Sequence, residues 1–217
     1  MSAHRTLVWD LPIRAFHWSL GLAVAGSFLT VKLGWMEWHG RLGGLVLSLL
    51  LFRVWWGILG SHTARFSQFW PSLSRIKAYL GSAKDQPVMG HNPLGALAVF
   101  ALLGVFLLQA LAGLATSDEI AYDGPLVAKL PSSWVEWAGW LHQTLEPALL
   151  ALVVLHVAAI VYYRVKKGVN LVRPMVTGYA ELPLQPDDAQ VRDTTGRRLM
   201  AAVLFLLSGA LVSLLFL

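Results

Sequence analysis

The stretch WLHQTLEPALLALVVLHVAA, Trp140 to Ala159, decides how the rest of the chain is read. Two histidines, His142 and His156, enclose a segment that is mostly aliphatic. Such a segment predicts a helix in lipid, where ionisable side chains are rare and need a reason. His156 follows His142 by 14 residues, so it lies about 21 Å further along the helix. That spacing is about 3.9 turns, which puts both imidazoles on one helix face.

The whole composition agrees with a lipid environment. The chain has 217 residues, of which 56% are hydrophobic and only 13% charged. A soluble domain of this size needs more charge to cover its surface. Five apolar runs stand out: Phe16–Val31, His39–Gly60, Leu94–Ala115, His142–Tyr163 and Leu199–Leu217. Each is near the ~20 residues that cross a ~30 Å hydrocarbon core. Continuous runs of this length read as helices. The first reads as a crossing and not a leader, because TLVWDLPIR precedes it and no small-x-small cleavage site is evident. The chain contains no cysteine, which excludes disulfides, thiolate zinc sites, cysteine-held iron–sulfur clusters and covalent haem attachment. No internal repeat, Walker A loop, GxGxxG, GxSxG or HExxH is present. The net charge of +5 is modest, and nothing supports nucleic-acid binding.

The basic residues give an expected orientation. Arg5 and Arg14 flank the first run; Arg65, Arg75, Lys77 and Lys84 lie in the second connection. Arg164, Lys166, Lys167, Arg173, Arg192, Arg197 and Arg198 lie in the fourth. The opposite side has Lys32, Arg41 and Lys129, with acidic Asp118, Glu119, Asp123 and Glu136. The positive-inside rule then puts the N-terminus in the cytoplasm and, after five crossings, the C-terminus outside. Trp35, Trp38, Trp134, Trp137 and Trp140 are expected in an outer aromatic belt, and Trp9, Trp55, Trp56 and Trp70 near the inner face.

With depths assigned, four histidines sort into two levels. His39 and His142 are expected at the outer level, His17 and His156 at the inner. Each pair is split between two helices. Facing imidazoles inside a helical bundle suit a low-spin b haem, whose iron takes one nitrogen from each side. Gly21 follows His17 by four residues, and Gly43 and Gly44 follow His39 by four and five. These glycines either let a flat ring lean on a helix or serve ordinary close helix packing. Arg14 is just before His17, and Arg53 shares a face with His39 at the inner level. Arg14, Arg41, Arg53 and Lys32 are candidate partners for haem propionates; Arg14, Arg41 and Lys32 can equally reach lipid headgroups. His4, His62 and His91 lie near helix ends, where a histidine needs no ligand to explain it; His91 is expected beside a helix start with Pro93 near its first position. The expected fold is an all-α integral membrane protein: a four-helix transmembrane haem-binding bundle over residues 1–174, a cytoplasmic polar linker over 175–198, and a fifth, C-terminal transmembrane helix over 199–217. The polar span Leu182–Arg198 reads as a mobile loop.

VWDLPIRAFHWSL (Val8–Leu20), WHGRLGGLVLSLLLFRVWWGILGSHTARF (Trp38–Phe66), GHNPLGALAVFALLGVFLLQALAGL (Gly90–Leu114) and LHQTLEPALLALVVLHVAAIVYY (Leu141–Tyr163) together resemble the bacterial cytochrome b561 family, which includes cytochrome b subunits of nickel–iron hydrogenases. The resemblance covers roughly Leu7 to Pro174. It implies a four-helix core with two b haems, each held by two histidines. Placed on this sequence, the ligands are His17 with His156 and His39 with His142, the same pairs that depth selects. The fifth helix departs from the pattern. The resemblance implies a bacterial inner (cytoplasmic) membrane protein carrying electrons between a quinone or quinol and a redox partner such as a c-type cytochrome or a hydrogenase. Glu146, Asp10 and His91 are candidate proton-passing groups near a quinone, each with an ordinary structural role as the alternative. A stand-alone oxidoreductase, for example one oxidising superoxide, and a non-redox metal transporter or anchor are the competing readings. The transporter predicts a polar pore, and of the third and fifth runs only Gln109 is a notable polar residue.

Overall fold

In a computed structural model, residues 4–81, 89–120, 122–182 and 191–217 are described. Lys84 and the stretch 183–190, about half of the expected mobile loop, lie outside them. The elements, in order, are β1 (His4–Leu7), α1 (Leu11–Lys32), α2 (Met36–Leu59), α3 (Leu73–Gly81), α4 (Pro93–Gly113), α5 (Ser132–Lys166), α6 (Val172–Thr177), β2 (Tyr179–Leu182) and α7 (Thr195–Ser213). Among the described residues, four helical spans are long and apolar enough to cross a membrane: Met36–Leu59, Pro93–Gly113, Ser132–Lys166 and Thr195–Phe216. The C-terminal helix is one of these four. α1 has 22 residues and comparable length, but Arg14, His17, three hydroxyl residues and Lys32 make it less apolar.

Local chemistry explains where the helices start. Asp10 caps α1: its Oδ1 accepts from the Ile13 N–H at 2.8 Å, and Pro12 occupies the first turn, where no donor is needed. The other oxygen, Oδ2, accepts from Trp56 Nε1 at 3.1 Å, which ties the start of α1 to the end of α2. Asn92 caps α4 through Gly95 N–H at 2.7 Å, with Pro93 as its first residue, as the sequence predicts. Gly34, at φ +72°, makes the turn between α1 and α2.

α1 packs along α2, α4 along α5, and α2 is the central helix, meeting α4 on one side and α7 on another. α2 buries Val46, Leu47, Leu49, Leu50, Phe52 and Trp56 in this position. The N-terminus and the tail close on each other. β1 pairs antiparallel with β2, His4 opposite Leu182 and Leu7 opposite Tyr179. Leu11 N–H donates to Asp193 Oδ2 at 3.1 Å, and Arg198 donates to the same carboxylate at 2.8 Å.

Several expectations change. α5 begins at Ser132, so His142 lies well inside a helix of 35 residues rather than at its start. The tryptophan-containing stretch before His142 is helical, not a loop. Trp9 and Trp56 belong to the core, with Trp56 fully buried against Asp10, so they form no inner belt; Trp55 and Trp70 stay exposed. A two-stranded ribbon and the short helices α3 and α6 add to the expected bundle. At the end of the polar span, Val191 is buried and Asp193 is hydrogen-bonded, so the part next to α7 is anchored.

Candidate functional site: two histidine pairs

The structure brings the four expected histidines together in two pairs. The ring centroids of His17 on α1 and His156 on α5 are 6.3 Å apart, with planes at 53°. Those of His39 on α2 and His142 on α5 are 6.1 Å apart, with planes at 86°. Two imidazoles on opposite sides of one metal atom, with bonds of about 2 Å, have centroids about 6 Å apart. Both pairs have that spacing. Among the described residues no group of three or more His, Cys, Asp or Glu side chains could hold a metal.

The His39–His142 pair, expected at the outer level, is oriented by backbone. His39 Nδ1 donates to the Ser27 carbonyl of α1 at 3.0 Å, and His142 Nδ1 donates to the Gln109 carbonyl of α4 at 3.0 Å. A donated Nδ1 proton leaves Nε2 with its lone pair, the tautomer a metal takes. Gln109 completes a reciprocal contact, its Nε2 donating to the His142 carbonyl at 3.0 Å. The His142 ring also needs Gly113: a β-carbon there would lie 3.0 Å from its Cε1. Sequence reading assigned no role to Gly113, and only the α4–α5 packing reveals one.

The inner pair sits among cations. His17 Nδ1 is buried with no hydrogen-bond partner. Arg53 is 3% exposed, lies over the Phe66 ring at 4.4 Å, and keeps Nη1 buried without a partner. Arg14 donates to the Val176 carbonyl at 2.6 Å, while its Nε is buried without a partner. His91 is packed between Trp9 and Phe69, with centroids at 4.8 and 4.4 Å. Burial first, then the charges of Arg53 and His17, push the His91 imidazole down to about 3.

Other expected contributors are placed differently. Arg41 pairs with Glu37 at 2.5 Å on an exposed surface and covers Trp38. Lys32 is exposed in the last turn of α1, where its charge suits the helix dipole. Asp10 spends both oxygens on the cap and on Trp56, a structural role. Glu146 is exposed on α5, next to Pro147, which cannot donate to the carbonyl four residues back. Gly21 and Gly43 border open space, as a flat group against α1 and α2 requires. Gly44 does not: a β-carbon there would meet Phe216 at 3.2 Å, so it serves the packing of the C-terminal helix.

Facing imidazoles between apolar helices define a class: helical membrane proteins built to hold a metal group between helices. The sequence profile of the prokaryotic cytochrome b561 family matches residues 8–178, and the chain belongs to that family. It is similar to a probable Ni/Fe-hydrogenase B-type cytochrome subunit of Cupriavidus necator, 26% identical over 222 aligned positions that cover 82% of this chain and 88% of the relative. A protein of the same description from Azotobacter vinelandii is 30% identical over 122 positions, 43% of this chain and 51% of the relative. No solved structure matches. The chain is thus a membrane b-type cytochrome of electron transfer, and the family implies haem b. The residues fit that group: imidazoles at metal-bridging distance, fixed tautomers in the His39–His142 pair, open space at Gly21 and Gly43, and a buried Arg53 Nη1 without a hydrogen-bond partner.

Proposed function

We propose that the protein is a di-haem cytochrome that carries electrons across the bacterial inner membrane between a quinone pool and a redox partner such as a hydrogenase or a c-type cytochrome. The observation that carries this reading is the pair of histidine pairs at 6.1 and 6.3 Å, on helices separated along α5 by about 21 Å. His39 and His142 hold the outer haem, His17 and His156 the inner. Each haem supplies a one-electron iron couple when bound. The chain does the rest. Ser27 and Gln109 hold the outer imidazoles in the ligating tautomer. Arg53 and Arg14 offer charge-assisted donors to propionates at the inner level. Arg41 and Lys32 lie at the outer rim, within the aromatic region where lipid headgroups are met. The apolar faces of α4 and α5 meet lipid tails, the phase in which quinones dissolve.

The proposed topology is five crossings, with α1 spanning beside α2, the N-terminus in the cytoplasm and the C-terminus in the periplasm. Residues 1–174 form the haem core, 175–198 the cytoplasmic linker and 199–217 the last helix. What supports this is the length of α1, its packing on α2, and the concentration of Lys and Arg between α2 and α4 and after α5. The hydrogenase partner is supported by the relatives' names.

The test is quinol-driven reduction in proteoliposomes. Quinol added to the oxidised protein should reduce the haems, seen as a rise of the α band, and a periplasm-side acceptor should then reoxidise them. Bound haem that quinol cannot reduce would refute the quinone role.

A further inference from the structure

Both helices of the outer histidine pair meet the loop after α4 at a glycine. On α2, Gly40 directly follows His39; on α5, Gly139 precedes His142 by one turn. Tyr122 lies so close on Gly40 that a β-carbon there would overlap its hydroxyl and ring. A β-carbon on Gly139 would meet the Thr116 methyl at 3.9 Å.

Thr116 and Tyr122 belong to one closed turn. Ser117 and Asp123 face each other as an antiparallel bridge. Asp118 N–H donates to the Tyr122 carbonyl at 3.1 Å, and Asp118 Oδ1 accepts from the N–H groups of Ile120 at 3.0 Å and Tyr122 at 2.8 Å. Gly124 N–H donates to the Thr116 carbonyl at 2.9 Å. The base of the turn is locked to the end of α4, where Leu126 N–H reaches the Leu114 carbonyl at 2.9 Å and a β-carbon on Gly124 would lie 2.5 Å from that oxygen. Gly113, at the foot of the same segment, faces the His142 ring.

One braced segment therefore touches α2 beside His39, α5 a turn from His142, and the His142 ring. Glycine is disfavoured inside helices, yet at Gly40 and Gly113 a side chain would press on Tyr122 and on the His142 ring, while a β-carbon on Gly139 would just reach the Thr116 methyl. We infer that Tyr122 is a positioning residue: it is the tip of a strap from α4 that sets the separation of α2 and α5, and with it the geometry of the outer histidine pair. Its redox consequence rests on the di-haem reading; the bracing itself does not.

The test has two arms. In the first, midpoint potentials and reduced-minus-oxidised spectra are compared for wild type, Tyr122→Ala, Tyr122→Phe and Gly40→Leu, with the outer component identified as the one that His39→Ala removes. Tyr122→Ala and Gly40→Leu should weaken retention of the outer haem on the order of tenfold, the usual effect of losing a supporting contact behind a metal ligand. The inner component should stay unchanged. Tyr122→Phe, which keeps the ring, should behave as wild type. Equal loss of both components, or no change in either, would overturn the inference. In the second arm, spin labels on Trp38→Cys and Trp137→Cys report the distance between the outer ends of α2 and α5; the cysteine-free chain is a ready background. Tyr122→Ala should broaden that distance distribution, and an unchanged distribution would overturn the bracing. Broadening in a protein that binds no haem would refute the di-haem reading and leave the strap standing.

Discussion

The two histidine pairs have nearly the same spacing, 6.1 and 6.3 Å, and opposite surroundings. The outer pair is held by neutral backbone: carbonyls of Ser27 and Gln109 take the Nδ1 protons, and glycines bring α4 and its loop close. The inner level keeps buried polar atoms that the chain leaves without hydrogen-bond partners. His17 Nδ1, Arg53 Nη1 and Arg14 Nε are all buried without partners. A buried guanidinium nitrogen without a hydrogen-bond partner is costly, and an anionic acceptor would satisfy it. One level is thus oriented by backbone carbonyls, whereas the other leaves buried polar atoms open for a bound group to meet.

The comparison can be broken at the ligands first. His39→Ala should remove one haem nearly completely and leave the other, and His17→Ala should remove the other one; pyridine haemochrome assay per chain checks this. Loss of both haems from either variant would erase the distinction between levels. The next effect is electrostatic. Arg53→Leu removes a positive charge that favours the reduced state, so the inner midpoint should fall by about 60 mV, a tenfold change for a one-electron couple. The outer midpoint should hardly move, and redox titration separates the two.

A smaller effect follows from pH. His91 is held near 3 in the folded protein, against about 6.5 in an unfolded chain. Below 6.5 the unfolded state takes up a proton that the folded state refuses, so this group's contribution to stability declines as pH falls from about 6.5 to about 3. Replacing it in His91→Phe should flatten the thermal-melt profile across that window. The smallest expected effect lies at the tail. Burial opposes ionisation of Asp193, but hydrogen bonds from Arg198 and the Leu11 N–H outweigh it and hold its carboxyl below the ordinary range. That clasp is present above the usual aspartate range and is lost as pH drops through the lowered value. Asp193→Asn should slightly lower the melting temperature at neutral pH and speed hydrogen exchange at the Leu11 amide, leaving both haem spectra intact.

The histidine pairs were legible because a 14-residue spacing fixes both face and depth on a helix, needing only the helix to exist. The family was legible separately, in the resemblance carried by the four stretches between Val8 and Tyr163. Helix ends were less legible. Ser132–Leu141 carries three tryptophans and a glutamate, which reads as a loop by apolarity, yet it extends α5. What brings distant segments together could not be read at all. Gly44 could serve a flat ring or close helix packing, and only the fold decides for packing, against Phe216 from a helix far along the chain. β1 meets β2 across most of the sequence, and Tyr122 meets Gly40 across two helices. Trp9 and Trp56, expected at a lipid interface, are buried because Asp10 and His91 give them partners inside.

Each histidine pair is proposed to hold one haem. The most direct test is a reduced-minus-oxidised spectrum of the purified protein with haem counted per chain. Two low-spin b haems per chain, resolved as two components, is the predicted result. No haem after haem-replete expression, or a single haem that both His142→Ala and His17→Ala abolish, would contradict it.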